Sequence, residues 1–516
     1  MRVKNSIYNI LAGIGSQIII TLLSFISRSV FVNYLGAEYL GVNGLFSNIL
    51  GMLSLAEAGI GSAIIYNLYK PVAEGNKERI NILMQFYKKA YMVIALVVLL
   101  LGLSLLPFLK YFIKDSTVDN IGLIYVIFLL NTASSYLFSY KISFLNVCQK
   151  GYIVTGVYSL SSILATCIKI GILYATNNYI LYLVIDILIT IITSIILTFI
   201  ANKMYPLLRN KGSGKLDEET RSNIVKNVKA LILHNIGGYA VFGTDNIVIA
   251  SFVSVKAVGL YSNYYMLINI CRTFINQFFD NITHSVGNLV AEENEEKLFT
   301  IFKVTMLINF WIYSFFTIFL YIIMEPFITF WLGSDFIMGK SILIILMINF
   351  FVSGMRRSIS IVKTTSGIFQ EDRFAPFFEA AINLGASIIL VNYIGITGVF
   401  IGTLISTLFV PFWIAPYLVY KKVFKRSVFY YFLKYTYFVL IGLGTCLLTN
   451  LICNFLFSDG ILSLLLKGTV CFIIPNTIYI AIFHRTNEFK YISDIFKSIL
   501  EKLLKQSRFK KGRLSA

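Results

Sequence analysis

The residues best suited to chemistry in this 516-residue chain lie where charge is most costly, inside apolar segments. Along 259–290, Asn269, Arg272, Asn276, Asp280, His284 and Gly287 recur at steps of three or four, which puts them on one face of a helix. Ionisable groups in hydrocarbon are rare and face a partner or a water-filled cavity. A stripe that only glued helices together would have Arg272 and Asp280 neutralised by neighbours. One this long exceeds what packing needs and points to a translocation cavity. The run 7–34 repeats the pattern with Asn9, Gly13, Gln17, Thr21, Ser24 and Arg28. The run 42–68 carries Asn43, Ser47, Gly51, Ser54 and Ala58 with Glu57 beside them, and 230–253 offers His234, Gly238 and Asp245. Of the isolated charges, Lys169 and Asp186 fall on adjacent runs and are expected to pair, Glu379 to snorkel near a membrane face, and Lys467 shows no partner.

The elements that position these residues are membrane helices. The chain is 57% hydrophobic and 13% charged, about half the charge of a soluble protein. Apolar windows fall near 7–34, 42–68, 82–107, 119–140, 151–175, 178–202, 230–253, 259–290, 303–325, 341–362, 374–393, 396–420, 430–456 and 461–484. Each is long enough to cross hydrocarbon, which takes roughly 20 residues per helix. The reading is an all-α polytopic membrane protein of about fourteen transmembrane helices. The run 7–34 is too long for a signal peptide and has no cleavage site, so it is read as a retained first helix.

Orientation follows from charge. If the amino terminus is cytoplasmic, the cytoplasmic segments hold 36 of the 44 Lys and Arg, while the opposite segments hold only Lys110, Lys114, Lys256 and Lys340. Lys and Arg concentrate on the cytoplasmic side of membranes, which predicts cytoplasmic amino and carboxyl termini. The net charge of +19 is thus mainly a topology signal. The basic tail suits anionic headgroups, and no nucleic-acid partner is expected.

The longest cytoplasmic link divides the first six windows from the next six. Gly36-Ala37-Glu38-Tyr39-Leu40-Gly41 joins windows one and two, and Ser254-Val255-Lys256-Ala257-Val258-Gly259 joins seven and eight. Gly41 and Gly259 lie 218 positions apart, which suggests related lobes. The expected organisation is a six-helix lobe at 1–203, a linker at 204–229, a second six-helix lobe at 230–420, two further helices at 421–484 and a basic tail at 485–516. The first two helices of each lobe are the polar ones and are expected to line a central cleft.

Other chemistries lack their residues. There is no phosphate-cradling Gly-x-x-x-x-Gly-Lys-Ser/Thr loop. The six cysteines are scattered without a Cys-x-x-Cys pair, and the three histidines have no zinc-ligand spacing. No cofactor and no enzymatic activity are expected, and transport would draw on an ion gradient, the membrane potential or the substrate gradient.

The first run ending in Arg28, the following Asn33-Tyr34-Leu35-Gly36-Ala37-Glu38-Tyr39-Leu40-Gly41, and Lys70-Pro71-Val72-Ala73-Glu74-Gly75-Asn76-Lys77-Glu78-Arg79-Ile80 resemble the multidrug/oligosaccharidyl-lipid/polysaccharide exporter superfamily. Within it, the chain looks most like bacterial polysaccharide-biosynthesis flippases, over essentially its whole length in architecture. The resemblance implies a multi-pass protein of the bacterial plasma membrane. It would flip a polyprenyl-pyrophosphate-linked oligosaccharide to the outer leaflet, beside the machinery that assembles a surface polysaccharide. It further implies a cationic cavity in which Arg28 and Arg272, with Gln17, Ser24, Asn269 and Asn276, meet pyrophosphate and sugar, since a guanidinium offers fixed paired donors. Glu57, Asp245, Asp280 and His284 depart from a purely cationic cavity, and would pair with the arginines, contact sugars or bind a coupling cation. The alternatives are an ion-coupled multidrug antiporter, a peptidoglycan-precursor flippase and, from another class, a membrane glycosyltransferase or polymerase. The last would normally show a large extracytoplasmic catalytic loop.

Overall fold

The computed structural model describes the chain except residues 1, 58–59, 114–115, 210–215, 219, 223, 225–227, 229–242, 292–294, 369, 456–459, 495–496 and 498–516, and except the side chains of 2–14, 56, 62–64, 281, 284–285 and 287–291. Most of the window 230–253 lies outside the described residues, and among those described, helices follow the apolar windows. They are α1 (Arg2–Leu53), α2 (Ile60–Glu74), α3 (Lys77–Leu105), α4 (Ile121–Val147), α5 (Gly151–Thr176), α6 (Tyr179–Met204), α7 (Asp245–Phe252) and α8 (Val255–Ala291), then α9 (Glu295–Leu332), α10 (Lys340–Met355), α11 (Arg357–Thr365), α12 (Ala375–Ile394), α13 (Ile396–Phe409), α14 (Pro411–Lys422), α15 (Phe429–Asn454) and α16 (Ile461–Phe483). Among the described residues, eleven helices are long and apolar enough to cross a membrane. The protein is an all-α polytopic membrane protein.

Local chemistry sets many boundaries. Asn76 and Asn178 cap α3 and α6, each accepting a backbone N–H three residues on at 3.0 Å. The span Arg2–Leu53 is two helices that meet at Gly36, at φ 83° and ψ −178°, and the second apolar window continues past Leu53 into α2. Only glycine adopts that conformation freely, so the chain kinks there between the two helices. Pro411, without a backbone N–H to lose, opens α14 after the break at Val410.

The chain forms two compact units, residues 1–262 with 380–402, and residues 263–379 with 403–516. In the first, α1 packs on α5, α4 on α3 and α6, and α2 on α3. Phe46 and Tyr125 meet edge to face with centroids 5.2 Å apart, and the Tyr125 hydroxyl donates to the Gly102 carbonyl at 3.0 Å. Ser159 donates to Ser16 at 2.6 Å and Thr193 to Ser161 at 2.8 Å, tying α5 to α1 and α6 to α5. Such interhelical bonds average roughly 0.6 kcal/mol in membranes, so close van der Waals packing carries most of the association. Lys169 pairs with Asp186 at 2.6 Å, as their spacing on adjacent helices predicts. At the start of α3, Arg79 reaches Thr220 at 2.9 Å and Asp217 at 3.3 Å, and hydrogen bonds from Thr220 hold the exposed Asp217 carboxyl below its usual range.

In the second unit α9 is the spine, packed on α10, α11, α15 and α16. Phe310 stacks on Phe438 with centroids 4.6 Å apart, and Trp311 Nε1 donates to Asn476 at 2.7 Å. Cys453 and Cys471 pack with Ile318 and Ile322 as small apolar residues, and both thiols are free. At the break between α10 and α11 the carbonyls of Gly354, which also takes the Arg356 N–H, and Met355 accept a side-chain donor. The fully buried Asn309 supplies it, donating to Gly354 at 3.1 Å and Met355 at 2.9 Å.

Candidate functional site

In the first unit, Gln17, Ser24 and Arg28 lie half-buried along α1. The Ser24 hydroxyl donates to its own helix, at the carbonyls of Ile20 (2.8 Å) and Thr21 (2.9 Å), which leaves it only acceptor capacity. The Gln17 carbonyl accepts the Thr21 hydroxyl at 2.7 Å. Arg28 Nη1 donates to Ser262 Oγ at 2.9 Å, and Arg28 has no ion pair among the described residues. Its surroundings repeat. A Cβ on Gly44 would lie 3.6 Å from Asn246 Nδ2, and Asn246 and Ser262 stand 218 positions after Arg28 and Gly44. One contact is thus the sequence-shifted image of the other.

Glu57 ends a short 3-10 turn, Ser54–Glu57, that interrupts the helical path before α2. Its carboxylate accepts the Tyr91 hydroxyl of α3, and the Tyr87 hydroxyl donates to that of Tyr91 at 3.4 Å. This tyrosine relay was invisible to a reading of polar stripes, because Tyr87 and Tyr91 look like aromatic filling of α3. Asp245 is buried, at 8% exposure, and is the first residue of α7, where a carboxylate complements the positive end of the helix.

In the second unit, Asn269, Asn276 and Asp280 are exposed along α8 and Arg272 is half-buried. The Arg272 guanidinium sits over the Phe350 ring at 5.8 Å and has no ion pair among the described residues. A ring face attracts a cation through its quadrupole without neutralising the charge. Asp280 pairs with Arg357 at 2.5 Å. The side chain of His284, like His234 and Gly238, lies outside the described residues.

Arg356 and Arg357 were missed by the sequence reading, which counted both among the cytoplasmic charges. They flank the α10–α11 break, and Arg356 pairs with Glu379 at 3.6 Å, so Glu379 has a partner within the fold. The available signal was the pair of adjacent arginines one residue after the small residues Ser353 and Gly354 at the end of an apolar run. The first unit thus offers the guanidinium of Arg28, and the second those of Arg272, Arg356 and Arg357. Guanidinium donors in apolar helices suit phosphate-bearing anions. Among the described residues, no cluster of His, Cys, Asp and Glu could hold a metal ion.

These features define an all-α multi-pass membrane protein, and its fold is shared with solved transporters and a flippase. The lipid II flippase MurJ, in an inward closed conformation, aligns at a TM-score of 0.64 with 16% identity, over 93% of this chain and 99% of its own. An inward-facing multidrug resistance MATE family transporter aligns at 0.60 with 16% identity, over 76% of this chain and 91% of its own. A point mutant of the Vibrio cholerae MATE transporter VcmN aligns at 0.58 with 14% identity, over 83% and 99%. No family profile and no curated protein matches the sequence.

Proposed function

We propose that the chain is a flippase of the bacterial plasma membrane. It moves a polyprenyl-pyrophosphate-linked oligosaccharide from the cytoplasmic to the outer leaflet for surface polysaccharide synthesis. The carrying observation is that Arg28 and Arg272, on the polar faces of α1 and α8, have no carboxylate partner among the described residues in a chain with a flippase-bearing fold. A guanidinium left without a carboxylate in a membrane helix is costly unless an anion uses it. In this reading both arginines take the pyrophosphate, and Gln17, Asn269 and Asn276 contact sugar. Lobes 1–203 and 230–420 alternate access, with fourteen spans and both termini in the cytoplasm. The sequence-shifted contacts around Arg28 support an internal repeat. Transport needs no nucleotide, because moving one elementary charge down the potential releases about 2.3 kcal/mol per 100 mV, and the substrate leaves a negative cytoplasm.

A second reading shares the pyrophosphate but changes the sugar. Alignment to MurJ over nearly both full lengths favours a peptidoglycan precursor as substrate. A deletion strain separates the two, by which lipid-linked intermediate accumulates and in which leaflet. Accumulation of neither, together with drug sensitivity, would instead favour an ion-coupled antiporter that uses Glu57 or Asp280. An absolute requirement for ATP hydrolysis by the purified chain would sink the mechanism.

A further inference from the structure

We propose that the second unit carries a separate binding site for an anionic phospholipid, with Lys303 and Lys434 holding the phosphate. A cavity of about 980 Å³ opens beside α9 and α15 and is lined by Lys303, Arg426, Lys434 and Glu488 together with apolar residues such as Leu433 and Leu440. None of these residues belongs to the proposed substrate set, so the site stands independently of the flipping reaction.

The charges gather at one end. Lys303 lies in the early turns of α9, Arg426 in the link before α15, Lys434 in the second turn of α15, and Glu488 just beyond α16. Arg426 is already engaged, paired with Glu296 at 2.5 Å and stacked on Phe299 at 4.1 Å. Among the described residues, Lys303 and Lys434 have ring contacts alone. Lys303 lies 5.3 Å from the Phe299 ring centre and Lys434 5.2 Å from that of Phe438, and neither has an ion pair among the described residues. With Glu296 set against Arg426, and Glu488 against one lysine, the mouth keeps one net positive charge. A phosphodiester headgroup carries one negative charge.

The wall identifies the occupant as an amphiphile. From Lys434 to Leu440 the lining follows α15 for about 9 Å at 1.5 Å per residue, and it becomes apolar away from the charged mouth. A free phosphate would use only the mouth, whereas a phospholipid fills both parts. Basic pockets between membrane helices near a cytoplasmic face are built for such headgroups.

The test uses the purified full chain in neutral detergent. Phosphatidylglycerol is titrated against phosphatidylcholine and against glycerol phosphate as the free headgroup, with bound lipid read by native mass spectrometry and stability by thermal melting. Phosphatidylglycerol should bind and raise Tm, and the other two should not. Lys303→Gln and Lys434→Gln should each weaken binding about fivefold, and roughly twenty-fivefold together, with Tm in phosphatidylcholine unchanged. Lys303→Arg and Lys434→Arg, which keep the charge, should retain binding if the Gln variants fail to fold. Equal retention of both lipids would mean that the lysines only snorkel, and would overturn the site. Glycerol phosphate binding as well as the lipid would overturn its assignment to a phospholipid.

Discussion

Gly41 lies so close to Val255 that a Cβ on the glycine would stand 1.9 Å from the valine carbonyl oxygen. The shifted pair does the same, since a Cβ on Gly259 would stand 1.9 Å from the carbonyl of Ala37. Val255 and Gly259 follow Ala37 and Gly41 by 218 positions each, so the two contacts exchange under the same shift that relates the surroundings of Arg28. Two backbones approach here because neither bears a side chain at the crossing.

Gly41→Ala and Gly259→Ala should therefore act alike. A methyl cannot fit against a backbone carbonyl, and overpacking typically costs about 1–3 kcal/mol. Both variants should lower Tm by similar amounts in detergent. A large loss at one position with none at the other would remove the crossing as a symmetric element.

Arg28→Ala and Arg272→Ala should each reduce flipping in reconstituted liposomes by about ten- to a hundredfold, since hydrogen bonds to charged groups contribute roughly 1.5–3 kcal/mol. Insertion and yield should be unaffected. Lys at either position should rescue only in part, keeping charge but losing the fork. Full activity in both alanine variants would eliminate pyrophosphate capture by these residues.

Asp280→Asn tests whether the acid restrains Arg357. The pair is partly exposed, with side-chain exposures of 65% for Asp280 and 33% for Arg357, and such pairs contribute about 0–1 kcal/mol. Tm should barely move, while Arg357, freed of its carboxylate, should bind pyrophosphate-bearing lipid severalfold more tightly. Weakened binding to the level of Arg357→Ala would show that the pair positions the site instead.

Asn309→Asp should destabilise more than Asn309→Leu. Either change removes both bonds, at about 1–3 kcal/mol where a buried acceptor is left unpaired, and the aspartate adds repulsion between oxygens. Thermal melting gives the order, and an Asp variant as stable as the parent would refute the role of Asn309 at the helix break.

Topology is tested with single cysteines in a background without the native six. Cysteines at positions 212 and 333 should label from opposite faces of the membrane. Labelling from one face would invalidate the helix count behind the charge asymmetry.

The sequence by itself determined the membrane class and the apolar helices that the described residues cover. Hydropathy and the 3.6-residue period are local properties, and hydrocarbon forces every segment it contains to satisfy its own backbone. The Lys169–Asp186 pair was legible for a related reason, because it joins helices adjacent in sequence. Packing alone decided the rest. Asp280 shares a helix with Arg272 but pairs with Arg357, 77 positions away, because α11 begins beside α8 after a break that Asn309 stabilises. Glu57 meets Tyr91 across a helix boundary, and the crossing at Gly41 depends on a carbonyl 214 positions on. Periodicity states which face of a helix is polar. Which neighbour that face meets is set by how helices cross, and that depends on small residues and backbone breaks whose partners are distant in sequence.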